Sequence, residues 1–460
     1  MKARLGELAH EAGGRLLGPA EREITSVSTD TRTLGPGALF VAVKGETFDG
    51  HDFVTEAAAR GAAAALVARA PDPKLELPAI VVGDTVAALG ALARARRAKF
   101  AGPVVAITGS NGKTTTKELC ARVLEAAGRR VRRTPGNLNN HIGLPLSILG
   151  LEPGDEALVV ELGMNHAGEI DALARIAGPT VGAITNVAPA HLGLLGSIEA
   201  IADAKGELFA RLRADATAIV NADDARCVAQ SARFAGQKLR FGLREPAEFR
   251  ARGLRFEHGA PLYTLECRAG SAEVRMRAPG LHLVDDGLCA AAAAFATGAL
   301  GPRPLEAIRA GLEAFNGVPG RVALVRTAAG ILVVDDSYNA NPHSVARALD
   351  TLAELRGAGR ALAVLGDMFE LGDDAPKLHA DVGRRAAAAG VDLLVAVGPL
   401  SAHMAEAARA SGLARVHATD SAEEAAALVR AAARSDDAVL VKASRGMKLE
   451  RVVRLLTESC

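Results

Sequence analysis

Tryptophan is absent from this chain and aromatic residues make up only 3% of it, while alanine is abundant; the pattern points to a base-composition bias and carries no functional content. Cysteine is sparse. The five cysteines, at 120, 227, 267, 289 and 460, show no CxxC spacing, which excludes a disulfide framework and a cysteine zinc site and leaves them as small apolar fillers. Neither sign of charge dominates, with 54 Lys and Arg against 53 Asp and Glu, so a nucleic-acid footprint or a polybasic membrane anchor is not indicated. The expected partners are small molecules. The longest low-polarity stretch, GLCAAAAAFATGALG (287–301), is too short and too rich in alanine and glycine to span a bilayer. No secretory signal pattern opens the chain. A cytoplasmic, monomeric protein is expected.

What is present is a long alternation of strand-like and helix-like segments. At 460 residues the chain has room for two to four domains, each with its own core, and the alternation implies an α/β fold with mostly parallel sheets. Three blocks are expected: residues 1–99, ending in the basic helical stretch ALGALARARRAKF; residues 100–318; and residues 319–460, opened by the break NGVPGR (316–321). In the third block ILVVDD (331–336), ALAVLG (361–366), DLLVAVG (392–398) and DAVLVKAS (437–444) read as strands of a Rossmann-like domain.

The segment ITGSNGKTTTKE (107–118) resembles a phosphate-binding loop, although Ile107 stands where the common pattern G-x-x-x-x-G-K-[ST] has its first glycine. Its context is right. PVVAIT (103–108) has strand length and composition, and TTTKELCARVLEAAG (114–128) places Leu119, Val123 and Leu124 near helical spacing with Gly128 as a stop. A strand feeding a glycine-rich turn and a helix offers backbone N–H groups of residues 109–114 to phosphates, with Lys113 as a point charge and the Thr114 hydroxyl as a Mg²⁺ ligand.

Open parallel sheets collect functional groups beyond the carboxyl ends of their strands. Here those ends carry Glu161 (EALVVELGMN), Asn186 and His191 (TVGAITNVAPAHLG), and Asp223 and Asp224 (TAIVNADD). A strand-end carboxylate opposite a GKT loop suits Mg²⁺; the two aspartates read as a helix N-cap and its neighbour. In SIEAIADAKGELFA (197–210) Lys205 falls within the apolar stripe of Ile198, Ile201, Ala202 and Phe209. Two readings fit that position: a packed stem whose ammonium snorkels to water, or a buried, neutral amine able to take up CO₂.

These motifs, in this order, resemble the ATP-dependent Mur ligases of bacterial cell-wall synthesis. The resemblance extends through STDTRTLGPGALFVAVKGETFDGHDFVTEAAARGA (28–62), GNLNNHIGLP (136–145), ELGMN, NVAPAHL, AKGELF (204–209), VPGR, DDSYNANPHS (335–344), GDMFELG (366–372) and KASRGMKLERVV (442–453). It implies three domains: a uridine-nucleotide-binding α/β domain, a central ATPase domain and a C-terminal Rossmann-like domain. It implies ATP and Mg²⁺ as cofactors and a two-step reaction, in which a substrate carboxylate is phosphorylated to an acyl phosphate that an amine then displaces. SYNANP and GDMFELG, with no D-N-P-R segment, are similar to the member that adds D-alanyl-D-alanine to UDP-N-acetylmuramoyl-tripeptide. The alternatives are an amino-acid-adding member of the family and folylpolyglutamate synthase, which would leave residues 28–62 unexplained. A non-enzymatic nucleotide-binding module would need the loop but not Glu161, His191 and Lys205.

Residue by residue, the resemblance implies that Gly109, Ser110, Asn111, Gly112, Lys113, Thr114 and Thr115 cradle the phosphates. Thr114 and Glu161 would hold one Mg²⁺, with His191 and a carbamylated Lys205 at a second. His282, Arg321 and Asp336 would meet adenine, phosphates and ribose. Asp30, Arg32, Asn137 and Asn140 would meet the UDP-linked substrate, with Asn339 and Asn341 in the substrate segment of the third domain. Two departures stand out: HLVDD (282–286) replaces H-N-x-x-N, putting Leu283 and Asp286 where two amides are usual, and Ala443 replaces the glycine of a K-G-S-R segment.

Overall fold

The computed structural model describes residues 2–458 apart from 46, 190, 191 and 258. The run PVVAIT forms the strand Val104–Thr108, whose residues are all buried, because β-branched and small apolar side chains suit a strand covered on both faces. It lies inside a nine-stranded sheet. Its parallel neighbours are Ala157–Glu161 and Val181–Ile184, in register Glu161 with Ile107 and Ile184 with Thr108. The carboxyl ends of three adjacent strands therefore open on one edge of the sheet. Beyond Thr217–Asn221 and Gln237–Gly242 the sheet turns antiparallel through Phe249–Glu257, Ala260–Cys267 and Gly270–Arg275.

Two smaller sheets flank it. The first is five-stranded, in the order Arg15–Leu17, Ala79–Val81, Ala64–Val67, Ala38–Val41, Ser26–Ser28, with only the first pair antiparallel. The second is six-stranded: Ala323–Arg326, Leu332–Asp335, Ala438–Lys442, Ala361–Gly366, Leu393–Val397, Val416–Thr419. The four strands expected here are present, and two edge strands join them. The last strand in sequence is inserted between the first two parallel ones, so Asp335 and Lys442 end side by side. The α/β class with mostly parallel sheets is the one the alternation implied.

The cores are distributed unevenly. One cluster joins Leu5, Ile24, Leu39 and Leu66 of the N-terminal sheet to Val104, Leu158, Ile184 and Phe209 of the central one. The opposite face of the central sheet is covered by the helices Lys113–Ala126, His282–Ala296 and Pro304–Glu313. The alanine-rich stretch is the middle of this second helix, fully buried from Ala290 to Ala294, where small side chains allow close approach to the phosphate-loop helix. No helix among the described residues is long and apolar enough to cross a membrane. The C-terminal sheet has its own clusters on both faces.

Candidate functional site

Ile107, at the position of the absent glycine, is still strand, paired with Glu161 and fully buried. The turn starts two residues later. Gly109 and Gly112 take φ of +148° and +80°, and a Cβ would stand 1.9 Å from Thr185 Oγ1 at the first and 2.1 Å from Asp286 Oδ1 at the second, so only glycine fits either position. The Ser110 N–H donates to the Asn186 carbonyl (2.9 Å), the Asn111 N–H to Asn186 Oδ1 (3.0 Å) and the Thr185 hydroxyl to the Asn111 carbonyl (2.6 Å). The loop is thus fixed by the neighbouring strand end. The helix beginning at Lys113 presents first-turn N–H groups without intrahelical acceptors and the positive end of its dipole, an anion site. The Lys113 ammonium donates to the carbonyls of Gly109 (2.8 Å) and Ser110 (3.2 Å). Burial pushes it below the usual lysine value, against the opposing pull of Glu161.

Glu161 is 1% exposed. Its Oε2 accepts from the Thr114 hydroxyl (2.7 Å) and its Oε1 from the Asn139 amide (2.7 Å), while its own N–H donates to Thr134 Oγ1 (3.1 Å). Both oxygens take neutral donors and no ion pair to Glu161 occurs among the described residues, so its charge is available to a hard cation beside the phosphate loop. The fit to Mg²⁺ is therefore good at Thr114 and Glu161. Lys117, buried in the same helix, donates to the Thr134 (2.7 Å) and Gly136 (3.0 Å) carbonyls and fixes the segment that carries Asn137 and Asn139. His191 lies outside the described residues, and among those described no cluster of three or more His, Cys, Asp or Glu is placed to hold a metal.

Lys205 lies on the helix Ile198–Arg211, capped by Ser197, and is 2% exposed. Its ammonium makes no hydrogen bond or ion pair among the described residues. Burial, reinforced by Lys113, pushes it well below the usual lysine value. Little of the side chain meets water. Asp224 caps the helix Ala225–Gln230 and Asp223 accepts from the N–H groups of Leu243, Arg244 and Glu245, the structural roles their positions suggested.

The C-terminal sheet supplies the facing wall of a cavity of about 850 Å³. Arg321, Asp336, Asn339 and Asn341 line it together with Ser110, Asn111, Gly112, Lys113, Thr115, Asn137, Glu161 and His282. The Arg321 guanidinium lies 4.2 Å from the Tyr338 ring centroid, with Arg445 on the same ring at 5.3 Å. Asp336 is paired with Lys442 at 2.6 Å, and burial raises its carboxyl although Lys442 opposes this. Asn341 caps the helix Pro342–Leu355 through Ser344, and its amide donates to Asn111 Oδ1 at 2.8 Å. Burial pushes the His282 imidazole down to about 3.

Gly109, Thr114 and Lys205 are not among the lining residues, and three further candidates lie elsewhere. Asp30 and Arg32 form an exposed pair on the N-terminal part, where Arg32 holds the Asp30 carboxyl near 2, and Asn140 Oδ1 accepts from the N–H groups of Ile142 and Gly143 just before and at the start of the helix Gly143–Leu149; none of them lines this cavity. Asn139, Lys442, Tyr338 and Arg347 were not anticipated. Asn139 sits between two asparagines that were, and Lys442 opens a segment already singled out; nothing local marks Arg347, whose partner Asp285 is 62 residues away.

Residues 107–294 match the Mur ligase middle domain, residues 320–445 the Mur ligase glutamate ligase domain, and residues 23–97 the catalytic domain of the Mur ligase family. The chain is 39% identical over 457 residues to UDP-N-acetylmuramoyl-tripeptide--D-alanyl-D-alanine ligase of Escherichia coli, covering 99% of this chain and 98% of that protein. Among solved structures, MurF from Acinetobacter baumannii is similar with a TM-score of 0.90 and 34% identity, covering 100% of this chain and 99% of that one. MurF from Thermotoga maritima in complex with ADP is similar with a TM-score of 0.81 and 31% identity, covering 94% and 96%.

Proposed function

The chain belongs to the Mur ligase family, and on that premise we propose that it ligates D-alanyl-D-alanine to UDP-N-acetylmuramoyl-tripeptide at the expense of ATP, giving UDP-N-acetylmuramoyl-pentapeptide, ADP and phosphate. The observation that carries the reading is the placement of Glu161, which accepts from the Thr114 hydroxyl at 2.7 Å, beside a phosphate loop and opposite Arg321 in one cavity.

The tripeptide's terminal carboxylate attacks the γ-phosphorus of ATP and ADP departs; the dipeptide amine then attacks the acyl carbon of the acyl phosphate, loses a proton, and phosphate leaves. Negative charge gathers in both steps. Lys113, the first-turn N–H groups of residues 113–115 and Arg321 would neutralise it. Mg²⁺, when bound, supplies further neutralisation and orientation, held by Thr114 and Glu161, with His191 and a carbamylated Lys205 at a second position. The buried amine of Lys205, without a hydrogen bond or ion pair among the described residues, supports that modification, since a neutral amine is the form that adds CO₂. His282 and Asp336 would face adenine and ribose. Asn339 lies beside them, and Asn341 holds the two walls together. Asp30, Arg32, Asn137 and Asn140 would bind along the UDP-linked substrate. The corresponding division is residues 1–99 for the UDP substrate, 100–318 for ATP and 319–460 for closure over the site, in a monomer acting in the cytoplasm.

Phosphate release measured with UDP-N-acetylmuramoyl-tripeptide and a panel of amines tests the reading. Turnover should need both substrates and favour D-alanyl-D-alanine over single amino acids. More efficient ligation of diaminopimelate or lysine to a UDP-dipeptide would overturn it.

A further inference from the structure

Asp286 lies in the helix His282–Ala296 where that helix meets the phosphate loop, and is 5% exposed. Its Oδ1 accepts from the Thr116 hydroxyl at 3.3 Å and sits 2.1 Å from where a Cβ on Gly112 would stand. Its Oδ2 is buried with no hydrogen-bond partner. The groups around it are few. Its own helix contributes Asp285 and, one turn on, the Cys289 thiol; the C-terminal part contributes Arg347 and Arg321; the phosphate loop contributes Thr116, with Lys113 turned toward Gly109 and Ser110. None of these cations bonds Asp286, and Arg347 is paired with Asp285 at 2.7 Å. A buried carboxylate with one long neutral donor and no counter-ion is far costlier than the buried neutral acid. Burial, reinforced by Asp285, accordingly pushes the Asp286 carboxyl well above the usual carboxylate range.

We propose that Asp286 serves the nucleotide site as a neutral carboxylic acid under the phosphate loop, so that nucleotide binding and retention of its proton favour each other. The inference rests on the nucleotide-binding reading above. Asp286 lines the cavity beside Gly112 of the loop, against which its Oδ1 lies. An ionised Asp286 would oppose the phosphate charge, and bound phosphates hold the proton in place; the coupling is reciprocal. A carboxylic acid offers one donor and one acceptor in the shape of an amide, so Asp286→Asn keeps the shape and removes the titration.

The test uses the full chain, with ADP as the probe. Infrared difference spectra should show the carbonyl stretch of a protonated carboxyl at neutral pH, absent from D286N and lost from the wild type in alkali. Above the pH of that loss, wild-type ADP affinity should fall relative to D286N, approaching about tenfold per pH unit. Calorimetry of the wild type in two buffers of different ionisation enthalpy should show proton uptake on binding in the same range, a measurement that needs no variant. A spectrum without the protonated band, or affinity profiles that stay parallel with no proton uptake, would overturn the proposal. A wild type that shows the band but binds ADP at no pH would sink the nucleotide reading itself, and this proposal with it.

Discussion

The two walls of the cavity are held in place by different means. The central wall is made of adjoining strand ends in one sheet: Gly109 and Ser110 follow one strand, Glu161 ends the next, and Thr185 and Asn186 follow the third, with hydrogen bonds of 2.6–3.0 Å running among them. The facing wall, with Arg321 and Asp336, belongs to a separate sheet with its own cores. It meets the first through a handful of polar contacts, among them Asn341 to Asn111 at 2.8 Å, Arg347 to Asp285 at 2.7 Å and the Gly193 N–H to the Glu370 carbonyl at 2.9 Å. Groups that must not move sit where a sheet fixes them; groups that must admit substrate sit on a body that a few hydrogen bonds release. The connector between them carries left-handed φ at Gly317, Gly320 and Val322, a turn able to absorb the change.

The contrast can be broken first at the rigid wall. Lys205→Ala and Lys205→Arg should each reduce ligation by about a thousandfold or more while ADP binding and the melting temperature stay close to wild type, since neither can form a carbamate. An arginine variant with near wild-type turnover would reduce the residue to packing. Asn139→Ala should cost about 10–100-fold in Mg²⁺ affinity and turnover, the range for a side chain that orients a metal ligand; a magnesium titration decides it.

At the mobile wall the effects should be smaller. Arg347→Ala combined with Asn341→Ala should raise the KM for ATP several-fold and expand the small-angle scattering envelope of the unliganded protein, with the expansion reversed by saturating nucleotide. Identical envelopes before and after would show that the contacts hold nothing. A stability measurement sharpens the account of Asp286. Because its folded value lies above the unfolded one, the folded chain keeps a proton that the unfolded chain has lost, so this residue's contribution to stability falls as pH rises through the carboxylate range. D286N should therefore gain on the wild type by at most about 1.4 kcal/mol per pH unit in that window, and denaturant midpoints from pH 4 upward would show it. Arg32→Ala, outside the cavity, should leave the melting temperature unchanged and raise only the KM for the UDP-linked substrate.

What the sequence disclosed follows from the range of each interaction. The strand Val104–Thr108, the loop and its helix were legible because their signals lie within about twenty residues, and Glu161 because a strand end in a parallel sheet is a position with a known use. The reason Ile107 can replace a glycine was not legible; it depends on how far the strand runs before the turn. The roles of Asn341 and Arg347 depend on partners 230 and 62 residues away, which no local pattern contains. The antiparallel strands from Phe249 to Arg275 were also missed: a register shift between Arg252 and Arg255 interrupts their alternation.

The core shared by the N-terminal and central sheets also decides where the chain can be cut. A fragment beginning near residue 100 would strip Leu5, Ile24, Leu39 and Leu66 from the face formed by Val104, Leu158 and Ile184 and leave that face wet, whereas one running from 320 to 458 would carry both its clusters intact. Only the second should survive separation, and the whole chain should melt in two steps, the N-terminal and central parts together.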